Sequence, residues 1–194
     1  MTRSLKIILP LFIIVGLVQW LVPAQMIWKR EEVLKKGATY RFLTEPVDPT
    51  NPFIGNYITL NFKENVGKVK RGHLLVRDQT IYVLLTTDSA GFARVKGITA
   101  VEPANEPAYV KAKVRYTTEI GITLESPDST EITIDYPFDE YYMEEYKAPK
   151  AETEYRKANR DTAQSTYAQV KIWKGTAVTE NIFINNKPLT SYFH

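Results

Sequence analysis

The chain has 194 residues, 44% of them hydrophobic, with 25 basic and 22 acidic residues, no cysteine and two histidines. That length suits one compact domain of about 100–200 residues plus an anchor. The near balance of charge excludes the basic footprint of a nucleic-acid binder, the lack of cysteine excludes disulfides, thiolate nucleophiles and cysteine-bound metals, and His73 with His194 cannot build a histidine-rich metal site.

Arg3 and Lys6 precede a stretch, residues 7–28, that carries no charge at all. About 20 apolar residues at 1.5 Å each cross a bilayer core of roughly 30 Å, so the stretch predicts a transmembrane helix in lipid contact. Trp20 and Trp28 lie toward its far end, where aromatic rings favour the interface, and the basic start keeps the N-terminus in the cytoplasm. Residues 1–6 then read as a cytoplasmic N-terminus, 7–28 as the anchor, and the remainder as extracytoplasmic. The rival reading is a cleaved signal peptide, for which Val22-Pro23-Ala24 offers small residues; the length of the apolar run favours the uncleaved anchor. Residues 29–37 predict a juxtamembrane helix that continues it and stops at Gly37. Lys29, Arg30, Lys35 and Lys36 form a solvated face with glutamate partners, or else a site for anionic headgroups.

Beyond Gly37 the pattern changes to strands. Tyr40 and Phe42 alternate within a first strand over residues 38–45. Pro46, Pro49 and Pro52 then stiffen the approach to Gly55, after which Ile58, Leu60 and Phe62 alternate with Tyr57, Thr59 and Asn61 as a second. Asn56 beside Gly55 suits a tight turn with positive φ. Residues 63–72 read as a long loop, and 73–77 with 80–86 as a hairpin turned by Asp78-Gln79. Asp88-Ser89-Ala90-Gly91 turns the chain into a strand over 92–101, and Glu102 to Pro107 is a loop. Over 109–116, Lys111, Lys113 and Arg115 alternate with Val110, Ala112 and Val114, as in a half-solvated antiparallel strand. Residues 120–125 with 131–136, and 166–173 with 177–185, predict two further pairs, the last turned by Lys174-Gly175. The exception is 137–149, where Tyr142, Met143 and Tyr146 fall at helical spacing and predict a short helix ended or bent by Pro149. A second helical piece follows over 151–160, with Glu152 and Arg156 at i,i+4. The fold class is mainly β, an antiparallel barrel or sandwich with one or two short helices, preceded by an N-terminal transmembrane helix, with residues 38–194 as the β-rich domain.

Gly55-Asn56-Tyr57-Ile58-Thr59-Leu60-Asn61-Phe62 resembles the signature of the bacterial GDYXXLXY family. Gly55, Tyr57 and Leu60 match, while Asn56 replaces the usual Asp and Phe62 the usual Tyr. Pro46-Val47-Asp48-Pro49 is similar to the lead-in of that motif, and Tyr141-Tyr142-Met143-Glu144-Glu145 with Glu152 to a second family block. The resemblance extends over roughly residues 40–189. It implies a membrane-anchored extracytoplasmic domain of the cell envelope, often encoded beside multi-pass membrane proteins, with no established activity. It makes Asn56, Tyr57, Tyr141, Tyr142, Glu144, Glu145 and Glu152 the candidate contact surface.

Catalytic signals are thin. Asp139, Glu140, Glu144 and Glu145 could serve as acid/base carboxylates, a chemistry that needs two such groups about 5–9.5 Å apart. They could also hold calcium, but the spaced Asp/Asn pattern with a turn glycine is missing. A serine peptidase of the signal-peptidase type needs a Ser-Met dipeptide soon after the anchor, whereas the first serine after Ser4 is Ser89. No catalytic residue, metal ligand or cofactor is assigned. The preferred expectation is a non-enzymatic binding or accessory subunit that touches membrane lipid through its helix and docks on a multi-pass membrane protein. The alternative is an anchored hydrolase using carboxylates of the Tyr/Glu segment 139–152.

Overall fold

The computed structural model describes residues 5–46, 57–70, 75–104, 106–118, 129–144, 146–161 and 164–192. Helix α1 (Leu5–Lys36) is continuous, so the predicted anchor and juxtamembrane segment are one rod. Its stretch Ile8–Lys36 is long and apolar enough to cross a membrane, and the apolar 18-residue window within it is not buried against the protein. Phe12, Trp20 and Trp28 are 74%, 80% and 76% exposed, a surface that water does not favour and lipid does. Only the end of the helix touches the domain. Val33 is its one buried side chain among the described residues.

The junction at Gly37 is close-packed. Its N–H donates to the Val33 carbonyl at 2.8 Å, closing the last turn. A Cβ at position 37 would lie 2.4 Å from that oxygen and 3.0 Å from the Ile172 nitrogen, so only glycine lets the chain pass from helix to sheet here.

The chain then continues as β1 (Ala38–Glu45), β2 (Tyr57–Thr59), β3 (Asn61–Phe62), β4 (Val66–Lys70), β5 (Thr80–Thr87), β6 (Ala93–Thr99), β7 (Tyr109–Thr118), β8 (Ser129–Asp135), β9 (Glu140–Tyr142), helix α2 (Ala148–Arg160), β10 (Thr166–Trp173), β11 (Thr176–Ile184) and β12 (Lys187–Pro188). One five-stranded sheet runs β12-β11-β10-β1-β3 and another β4-β8-β7-β5-β6, with β2 and β9 as a separate ribbon. All the pairings between these strands are antiparallel. The chain passes from one sheet to the other through the short turn between β3 and β4, where Lys63 N–H still donates to Leu43 O of the first sheet and Asn65 O already accepts from Ile134 N–H of the second, at 3.0 and 2.6 Å. Across the other seam, single bridges link Arg41 to Phe92 and Val110 to Gly175. The result is a nearly closed antiparallel barrel.

Alternation along the strands fills the interior. On β7, Val110, Ala112 and Val114 are buried while Lys111, Lys113 and Arg115 face out, as their period of two requires. Phe42, Phe62, Tyr136 and Phe138 meet as an aromatic cluster, with ring centroids 5.0–5.8 Å apart. Helix α2 adds Ala151, Tyr155 and Ala158 to the core. Its polar tie runs inward, since the Thr44 hydroxyl donates to Thr166 Oγ1, which donates to Asn159 Oδ1, at 2.8 and 2.6 Å. Asp88 caps the β5–β6 turn by accepting from the Ala90 and Phe92 N–H groups.

Three expectations are corrected. The supposed loop 63–72 contains β4, whose inward position 67 is a glycine because Ile98 Cδ1 sits 2.2 Å from where a Cβ would be, so the strand lacks an apolar alternation. Residues 75–77 do not pair with β5, whose two edges are taken by β6 and β7. Asp78, at φ 64, instead turns the chain onto β7, donating to Val114 O at 2.8 Å. The predicted helix over 137–149 is the strand β9 followed by a turn, and Pro149 stands in the first turn of α2 instead of ending a helix. Residues 73–74 and the predicted strand 120–125 lie outside the described residues.

Gly37→Ala should lower stability by roughly 1–3 kcal/mol, the range for overpacking against fixed backbone. Gly67→Ala should cost less, because the atom it meets ends a flexible isoleucine side chain. Thermal melts of the two variants in detergent check the order.

Candidate functional site

The ribbon begins with a nailed turn. Phe138, 3% exposed, is held in the aromatic cluster, and its carbonyl accepts from the Thr179 hydroxyl at 3.1 Å. Asp139 O then accepts from Leu60 N–H at 2.7 Å, which sets β9 alongside β2. The register pairs Tyr57 with Tyr142, Ile58 with Tyr141 and Thr59 with Glu140. Directly opposed residues share a face, so Ile58 and Tyr141 point to the core while Tyr57 and Tyr142 point out, their rings 5.4 Å apart. Burial raises the Tyr141 hydroxyl above its ordinary pKa. Tyr142 donates to the Glu140 carboxylate.

Behind the ribbon stands an ionic bridge. Arg115 of β7 reaches Asp135 with its Nε at 2.9 Å and Asp139 at 3.4 Å. Burial pushes the Asp139 carboxyl above its usual range, neighbouring Asp135 adds to the shift, and Arg115 opposes it. A cleft of about 510 Å³ opens here, lined among others by Lys111, Lys113, Asp135, Asp139, Glu140 and Thr176. A second, of about 410 Å³, adjoins it between the end of α1 and β9, with Met26, Lys29 and Arg30 on one wall and Asp139, Glu140 and Tyr142 on the other. Asp139 and Glu140 line both. Each volume falls in the range of small-molecule sites.

The sequence-predicted residues divide. Asn56 and Glu145 lie outside the described residues. Tyr57 and Tyr142 form one outward aromatic pair, and Tyr141 is turned inward. Glu144 follows the ribbon and pairs with Lys147 at 2.9 Å; the Tyr146 hydroxyl and then Lys147 hold its carboxyl below the usual range. Glu152 stands on α2, which packs against β2, and pairs with Arg156 at 2.7 Å. The described residues contain no group of three histidine, cysteine or acidic side chains able to hold a metal. Sequence reasoning missed the opposition of Lys29 and Arg30 to Asp139 and Glu140, and the Arg115 bridge. The β7 alternation places Arg115 on the outer face, but nothing in it tells which acids arrive there.

An antiparallel barrel carried on a helix long and apolar enough to cross a membrane is the class that these features define. A family model described as GDYXXLXY protein matches residues 19–182, from within α1 into β11, and the chain belongs to the GDYXXLXY family. No curated protein and no solved structure matches it.

Because Asp139 holds its proton more tightly in the folded chain than in the unfolded one, this group favours folding most at low pH. Its contribution falls as the pH rises through the raised value. Asp139→Asn should therefore melt a few degrees higher than the parent at pH 7 and converge with it near pH 3, as followed by circular dichroism.

Proposed function

We propose that the chain is a membrane-anchored extracytoplasmic binding or accessory subunit of a membrane-protein assembly in the bacterial cell envelope. The N-terminus is cytoplasmic, on the strength of Arg3 and Lys6 before the apolar run, and the barrel faces the periplasm or the cell exterior. It docks on a multi-pass membrane protein through the outward face of the β2–β9 ribbon. The observation that carries this reading is the outward aromatic pair beside α1: Tyr142 is 60% exposed, its ring lies 5.4 Å from that of Tyr57, and it shares a cleft with Met26 of the helix. Tyrosines are enriched at interface hot spots, where a rigid ring covers area at little entropic cost. Glu144 supplies a charged rim, with Asn56 and Glu145 next in sequence to Tyr57 and Glu144.

Within the Tyr/Glu segment 139–152, Glu144 and Glu152 favour this over acid/base work, since each is engaged by a cation. One observation favours the hydrolase alternative: Asp139, with its raised pKa, lies near Asp135 in the larger cleft, as an acid beside a base would.

Affinity capture from mildly solubilised membranes distinguishes them. Docking predicts a co-purifying multi-pass protein whose recovery falls about tenfold with Tyr57→Ala plus Tyr142→Ala and only partly with Glu144→Gln plus Glu145→Gln. Elution of the chain alone, or recovery untouched by the tyrosine changes, contradicts it. Turnover of an ester, amide or glycoside that Asp139→Asn abolishes would establish the hydrolase instead.

A further inference from the structure

The smaller cleft has a property that the ribbon's role does not use. Its two walls carry opposite charge and come from different parts of the chain: Lys29 and Arg30 from α1, Asp139 and Glu140 from the start of β9. Lys29 and Arg30 make no ion pair among the described residues, whereas the next cations on the same helix, Lys35 and Lys36, are taken by Glu31 and Glu32 at 3.5 and 2.8 Å. Two cations thus stay available across a gap from two carboxylates, with space between them of about 410 Å³.

The position of the cleft identifies what fills that space. The charge-free stretch 7–28 spans about 33 Å as helix, against a hydrocarbon core of roughly 30 Å. Lys29 and Arg30 are the first charges past it, so they emerge in the headgroup layer. A purely anionic headgroup would suit those cations and be repelled by Asp139 and Glu140. A zwitterionic one satisfies both walls. Choline carries its charge without N–H donors, whereas a primary ammonium has three and matches carboxylate acceptors.

The geometry points to a site for an amine-bearing phospholipid of the phosphatidylethanolamine type, its phosphate on Lys29 and Arg30 and its ammonium on Asp139 and Glu140. Thr176 and Thr179 supply hydroxyls to the same cleft. The lipid would act as a wedge that fixes the helix to the barrel at the membrane surface. The inference rests on α1 crossing a bilayer and not on the ribbon having a protein partner.

The test uses the full chain in mild detergent, titrated separately with dimyristoyl phosphatidylethanolamine, phosphatidylcholine and phosphatidylglycerol. Native mass spectrometry reads the lipid retained per chain. The ethanolamine lipid should be retained at least about fivefold over the other two, the scale of one or two partly exposed ion pairs. Lys29→Gln with Arg30→Gln, and separately Glu140→Gln, should bring it down to the choline level. All three positions are exposed, so folding should be unaffected, which circular dichroism checks. Equal retention of the three lipids, retention unchanged in both variants, or full displacement by free phosphoethanolamine would overturn the site. A photo-crosslinking residue at Thr176 in native membranes should yield an adduct of phospholipid mass; a polypeptide adduct there would equally overturn it.

Discussion

The structure depends on the way a helix without a polar face is fastened to a β-barrel that has one. Along the apolar stretch of α1 the described side chains are exposed on all sides, which lipid tolerates and water does not, and Val33, the one buried side chain among the described residues of the helix, anchors its last turns to the sheet. Gly37 makes the fastening rigid, because its N–H completes the helix while its missing Cβ lets the backbone of β10 approach. The helix therefore does not end in a slack linker. Whatever lies beside its last turns is held at a fixed distance from the apolar stretch of the helix.

What lies there is set by packing at the other end of the sequence. Phe138 belongs to the aromatic cluster, and with it in place the backbone of Asp139 must pair with Leu60 and β9 must run beside β2. That one constraint brings three otherwise unrelated groups together: the Tyr57–Tyr142 pair on the outside, the Arg115 bridge behind it, and the acidic wall of the clefts between barrel and helix. The chemistry is one of matched charges beside the end of a helix long and apolar enough to cross a membrane. Its carboxylates are mostly engaged by arginine and lysine, and the exception in pKa, Asp139, owes its shift first to burial.

Much of this architecture was legible in the sequence where a period was clean. The apolar run 7–28, the alternation on β7, the β10–β11 hairpin and the helix containing Glu152 and Arg156 all appear as predicted, because each announces itself through local spacing. β4 was illegible because its inward position is a glycine selected by Ile98, a residue from another strand. β9 was misread because Tyr142 and Tyr146 satisfy a helical period by accident, while the ladder partner that makes it a strand, β2, is some 80 residues earlier. The site suffered in the same way. The tyrosines and glutamates of the family blocks could be named, but that Tyr141 faces inward, and that Lys29 and Arg30 face Asp139 and Glu140, follows only from long-range pairing.

The depth of the ribbon can be measured directly in reconstituted vesicles. A fluorophore is placed at Tyr142, beside Met26 in the helix cleft, or at Lys174, which lies near Glu32 toward the far end of α1. Met26 and Glu32 are six residues apart, about 9 Å of helix. Nitroxide lipids labelled at the headgroup should quench the Tyr142 probe strongly and the Lys174 probe weakly. Equal quenching at the two positions, or quenching stronger at Lys174, would contradict a rigid helix that carries the ribbon at the membrane surface.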